Sequence, residues 1–370
     1  MSNRLFRSQV ALSLWCVLLA SGTAVRGVAA DEPVRLFQVT DSFTRWSDGN
    51  ADAQAMLDSI QWKPTEFEAT WADVSDHDHD RLIRFPSPWP GGNAINDQVA
   101  LAWYCPEEAN GNKPLPAVVV VHESGSGMQA GKAIAEGIRT RGLHALLIHL
   151  PHYGERRDKG FKREPTQMLL AMRQGVSDVR RAFDVVRRLP GIDPERVSLQ
   201  GTSLGGFVAA TAGSLDGCYD EVHITLAGGD LYGMMLTGQK DVAKVRNELA
   251  GAGFTGEKLR ELLQHAEPLR IAHRLDAKRT WMYSALQDEV VPIANCRKLA
   301  QTIGLDRTHH NELYAGHYTG VLYLPVILDL LVERVKAGGG ERGTVQEAEA
   351  GPATGAPESD VNKGRGNGGK

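Results

Sequence analysis

Cysteine is scarce in this chain: 370 residues contain four. One of these, Cys16, lies in an apolar N-terminal stretch, which leaves Cys105, Cys218 and Cys296. Three cysteines allow at most one internal disulfide and leave a thiol over, so a disulfide-stapled scaffold is excluded. They are expected as buried thiols, with the choice of any bonded pair left open, and a chain of this length can bury a core without staples. A strong charge of one sign is also missing. The formal net charge is −4, which points to neither a nucleic-acid partner nor an electrostatic membrane anchor. Metal signatures are absent too. His122-Glu123 has no second histidine at zinc spacing. The run Asp76-His77-Asp78-His79-Asp80 fits neither a zinc nor a calcium loop and reads as a solvated turn. No internal repeat is present.

What is there begins with a leader. Arg4 and Arg7 precede an apolar core over residues 10–20, and Val28-Ala29-Ala30 offers small residues for cleavage. Residues 1–30 are therefore expected to be a signal peptide and the mature protein to be exported, to the periplasm or the extracellular space. The apolar core is too short for a comfortable membrane span, so no stable insertion is expected after its removal. Trp15 before Cys16 fits a lipidation site poorly. Residues 31–98 form a mixed N-terminal extension with the first strands, residues 82–86 and then 98–104, around the turn Pro90-Gly91-Gly92-Asn93.

From there to residue 336 strands alternate with helices. Residues 117–121 are a β-branched run suited to a strand buried on both faces. A helix is expected over 130–141, a strand over 144–149, a helix over 166–189, and further strands over 196–200, 221–227, 280–286 and 307–314. The last helix is expected over 321–336. Such alternation predicts an α/β fold, a mostly parallel central sheet flanked by helices. Residues 231–277 interrupt it as a helical insertion between the sixth and seventh strands, with the length of a lid. Residues 337–370 are Gly-rich and polar and are expected to be a disordered tail.

Glycine is abundant, at 40 residues, and its placement carries the chemistry. Gly201-Thr202-Ser203-Leu204-Gly205-Gly206 is a G-x-S-x-G pattern between a strand and a small-residue helix. A serine on such a turn is held in a strained conformation that presents its hydroxyl, which makes Ser203 the candidate nucleophile. The first helical amide, that of Leu204, is placed to stabilise an oxyanion. A serine needs a base, and the base an orienting acid. His317, in the turn between the last strand and the last helix, is the candidate base; His309 and His310 lie within or before that strand. Asp288, in the turn after residues 280–286, is the candidate acid, with Glu289 and Asp230 as rivals. The second oxyanion donor is expected from His122-Glu123-Ser124-Gly125-Ser126-Gly127, as the amide of Glu123 or Ser124.

Together GTSLGG, LQDEVVP, AGHY and VVVVHESGSG resemble the α/β-hydrolase superfamily, across roughly residues 101–336. VVVVHE followed by Gly125 is similar to its dienelactone-hydrolase-like and secreted serine esterase branches. In dienelactone hydrolases the nucleophile is a cysteine assisted by a glutamate; here Ser203 stands in its place and Glu123 at the glutamate position. The segment Pro151-His152-Tyr153-Gly154-Glu155-Arg156-Arg157 also resembles a poorly characterised branch. The resemblance implies hydrolysis of small carboxylic esters with no metal or organic cofactor. The alternatives are a serine peptidase or amidase of the same fold, and a catalytically silent binding protein.

Overall fold

The computed structural model describes residues 33–338 apart from 76, 111–112 and 161–166. The expected leader and most of the expected tail lie outside the described residues. Ten strands form one sheet in the order β1-β2-β3-β4-β6-β5-β7-β8-β9-β10. The first four, β1 (Arg35–Thr40), β2 (Glu66–Asp73), β3 (Arg81–Pro86) and β4 (Gln98–Tyr104), run antiparallel to their neighbours, and β4 is antiparallel to β6 (His144–His149). The rest is parallel: β6, β5 (Leu115–Val121), β7 (Ile192–Thr202), β8 (Val222–Thr225), β9 (Thr280–Ala285) and β10 (His310–Leu313).

The parallel strands read as continuous apolar runs because helices cover both faces. On β5, Val118 and Val120 pack with Ile134, Ile138, Leu328 and Leu331, from α2 (Gln129–Arg139) and α9 (Leu324–Ala337). Val119 and Val121 face the opposite core, which α3 (Gln167–Val186) and α4 (Leu204–Asp216) cover. Every one of these valines is fully buried.

Two strands escaped the sequence reading. β1 and β2 expose much of their length, so their residues are mixed rather than apolar. With them counted, the helices α5 (Leu231–Thr237), α6 (Asp241–Gly251) and α7 (Gly256–Gln264) fall between the eighth and ninth strands, not the sixth and seventh. The last strand is shorter than expected, because the Asp306 carboxylate accepts from the Thr308 and His309 amides and holds them in a turn. The last helix starts late, at Leu324, with Pro325 in its first turn and a 3-10 turn over Thr319–Tyr323 before it.

The N-terminal segment is pinned to α3 by buried ion pairs. Arg181 meets Asp41 at 2.7 Å, Arg180 meets Asp184 at 2.9 Å and Asp216 at 2.7 Å, and Arg156 meets Asp178 at 2.8 Å. Asp41 also accepts from the Trp62 indole, Asp184 from Ser42, and Asp178 from Ser87. Buried charges persist only when paired and hydrogen-bonded in this way. α3 therefore ties β1 and the loops beside it to the parallel half of the sheet. All three remaining cysteines are free.

Candidate active site

Ser203 closes β7 and precedes α4, with φ 53° and ψ −117°. That region is costly for a residue with a Cβ and survives only where its surroundings dictate it. Here they do. A Cβ on Gly205 would meet the Val121 carbonyl oxygen, and one on Gly201 would meet the Gly205 carbonyl, so only glycine lets strand and helix cross this closely. The Ser203 amide donates to the Thr225 carbonyl at 2.9 Å, fixing the turn against the next strand.

The hydroxyl reaches a histidine. Ser203 Oγ lies 3.0 Å from His317 Nε2, and His317 Nδ1 lies 2.7 Å from Asp288 Oδ2. The other Asp288 oxygen accepts from the Val290 and Val291 amides, both at 2.8 Å. The Asp288 side chain is fully buried and that of His317 nearly so. With Nδ1–H donating to the carboxylate, Nε2 accepts from the serine hydroxyl, the tautomer that general-base work requires. The three groups come from the ends of β7 and β9 and from the loop after β10, the carboxyl edge of the parallel sheet where open α/β folds place their sites.

The rival residues are engaged elsewhere. Glu289 pairs with Lys240 at 2.7 Å, and Asp230 caps α5 and pairs with Lys298. His309 meets Asp306, and His310 meets Ser284 Oγ at 2.9 Å. The acidic turn before β3 is held by cations: Asp78 pairs with Lys132 and Asp80 with Arg139.

Glu123 and Ser124 line the same cavity as Ser203 and His317. The Glu123 carboxylate turns toward the start of α2, where it accepts from the Ala130 and Gly131 amides, capping orphan helix donors. Leu204 is the first residue of α4, so its N–H has no acceptor within the helix. The cavity measures about 1090 Å³. Ile134, Val321, Leu324 and Ile327 give it an apolar side, while Lys244 and Glu248 of α6 bring charge to it. The length of residues 231–277 suited a lid, but no pattern within them marked α6 as the helix that reaches the site. Among the described residues no helix is long and apolar enough to cross a membrane.

No family model matches this chain. It is similar to an acetyl xylan esterase from Paenibacillus sp. R4, with TM-score 0.57 at 17% identity, covering 80% of this chain and 96% of that one. Acetyl xylan esterase 1 from Thermoanaerobacterium sp. JW/SL YS485 aligns with TM-score 0.53 at 14% identity, covering 78% and 96%. The fold is that of the α/β-hydrolases. Ser203 thus stands at a strand-to-helix turn of a sheet with that fold. A curated relative from Bacillus subtilis (strain 168), named "Putative esterase YitV", is 24% identical over 215 residues, 56% of this chain and 80% of the relative.

Proposed function

We propose that this protein is an exported serine hydrolase that cleaves small carboxylic esters through an acyl-enzyme. The continuous hydrogen-bonded chain Ser203–His317–Asp288, opening on a cavity with apolar and charged sides, carries the reading. The esterase names of the relatives support it. The leader-like residues 1–30 support export.

In this mechanism His317 Nε2 takes the Ser203 proton as Oγ attacks the ester carbonyl carbon. The oxyanion sits on the Leu204 amide and an amide of the Glu123–Ser124 loop, where one donor is worth about a hundredfold or more in rate. Collapse breaks the C–O bond, and the alcohol leaves with the proton from His317. Water, deprotonated by the same ring, then adds to the acyl-serine, and the carboxylic acid leaves as Oγ recovers its proton. Asp288 holds the ring and stabilises its cationic form throughout.

The test is hydrolysis of p-nitrophenyl esters of increasing acyl length by the mature protein, with Ser203→Ala beside it. Turnover in the wild type and a loss of about a millionfold in the variant is expected. Turnover that survives in Ser203→Ala would sink the assignment.

A further inference from the structure

The segment Pro151–Arg157 takes no part in the triad, yet it reaches back to the loop that carries the second oxyanion donor. Tyr153 donates its hydroxyl to the Ser124 carbonyl at 3.0 Å, and its ring packs edge-on against His122 with centroids 4.6 Å apart. His122 is fully buried. Its Nδ1–H donates to the Glu123 carbonyl at 2.6 Å, and its Nε2 accepts the Leu150 amide at 3.1 Å. Two consecutive carbonyls of the loop are therefore held by two side chains that touch each other.

A trans peptide points its N–H opposite to its C=O. Holding the Glu123 carbonyl on His122 therefore fixes the direction of the Ser124 amide, and holding the Ser124 carbonyl on Tyr153 fixes that of Gly125. Both residues line the cavity with Ser203. We propose that His122 and Tyr153 are positioning residues that lock this loop with the Ser124 amide as the second oxyanion donor: His122 holds the peptide that carries this amide, and Tyr153 holds the next one, so that Ser124 is clamped between two fixed peptides. This rests on the serine-hydrolase reading above and chooses between its two candidate amides.

The lock is itself anchored. Arg156, fully buried, donates to the Asn96 and His149 carbonyls and pairs with Asp178. His149 Nδ1 accepts the Glu155 amide at 3.1 Å. Burial holds His122 down to about 4, so the neutral ring with its one donor and one acceptor persists at neutral pH.

Tyr153→Phe keeps the ring on His122 and removes only the hydroxyl. It is expected to lower kcat about tenfold, a fraction of what a whole oxyanion donor is worth, with KM within about twofold because ground-state binding does not use the donor. The rate at which a fluorophosphonate labels Ser203, read by intact mass, should fall in parallel, since that reaction also builds negative charge on oxygen. Tyr153→Leu, which also strips the packing from His122, should fall further. Glu155→Gln, which breaks only the exposed pair with Arg84, should leave both rates unchanged. The lock is overturned if Tyr153→Phe labels and turns over at the wild-type rate, or if its loss merely tracks a loss of folded protein in a thermal melt. A wild type that no fluorophosphonate labels overturns the serine mechanism and the lock with it, an outcome distinct from a labelled wild type with an unaffected Tyr153→Phe.

Discussion

Two turns in this molecule share one rare backbone shape and differ in what enforces it. Ser203 has φ 53° and ψ −117°, and Lys240 has φ 54° and ψ −114°; each directly precedes a helix, α4 or α6. At Ser203 the shape is imposed by the interior. Close-packed glycines, the Val121 carbonyl and the β8 backbone leave the chain no other path. At Lys240 it is held from the surface. The Gln239 amide donates to the Glu289 carbonyl at 2.7 Å, Lys240 pairs with the Glu289 carboxylate, and Tyr318 donates to Asp241 at 2.6 Å. Exposed pairs of this kind contribute about 0–1 kcal/mol each. The difference separates a fixed turn at Ser203 from a softer wall of the cavity. Ser203 is set by packing that cannot relax, while α6 is tied to the residues beside Asp288 and His317 by contacts that water can compete for.

The largest effect should come from adjacent carboxylates. Asp288→Asn is expected to cut kcat by about ten-thousandfold, because the amide favours the wrong tautomer of His317. Glu289→Gln, one residue along, releases only Lys240 and should change kcat less than about threefold, as suits a surface pair. Steady-state kinetics on the two variants side by side checks this. Equal losses would mean that the exposed turn governs the reaction as much as the buried one.

Acid should loosen the packed side next. Burial lowers His122 and His144 to about 4 and His149 to about 3. His144 accepts the Trp103 indole on Nδ1 and faces the Gly191 carbonyl with Nε2, so a second proton would cost it an acceptor. Their folded values lie below the unfolded value of about 6.5, so between the two the unfolded chain binds more protons. Stability from these rings is complete above about pH 6.5 and drains as pH falls toward 4 and then 3, by up to about 1.4 kcal/mol per pH unit for each ring. A melting series from pH 7 to 4 should show Tm falling throughout that window. A flat profile would remove the histidines from the account.

The smallest effect tests the shared strain directly. Ser203→Gly and Lys240→Gly each relieve a positive φ, offset in part by glycine's greater freedom when unfolded. Each is expected to raise stability by about 0.5–1 kcal/mol, read as a small rise in Tm. Only the first should abolish turnover. Equal stability gains with unequal activity would sharpen the contrast; loss of turnover in Lys240→Gly would erase it.

Much of this was legible in the chain itself. The valine run of β5, the G-x-S-x-G turn, and the turns bearing Asp288 and His317 are local features, because strand burial, a strained serine and a tight turn each restrict residue type within a few positions. The small-residue loop after β5, which lines the cavity with Ser203, was legible in the same way. β1 and β2 were illegible because half-exposed strands keep no strong pattern. The buried ion pairs on α3 were illegible because Asp41 and Arg181 lie far apart in sequence and look like surface charges.

By itself, then, the sequence determined the strand–helix alternation, the glycine-flanked turn at Ser203 and the short roster of candidate acids and bases, since those follow from local sterics and periodicity. Only the tertiary structure decided that Asp288 rather than Glu289 or Asp230 meets His317, that α6 supplies a wall of the cavity, and that Tyr153 and His122 grip the loop opposite Ser203. Those outcomes depend on which residues, distant along the chain, come within about 3 Å of one another, and no local pattern encodes that.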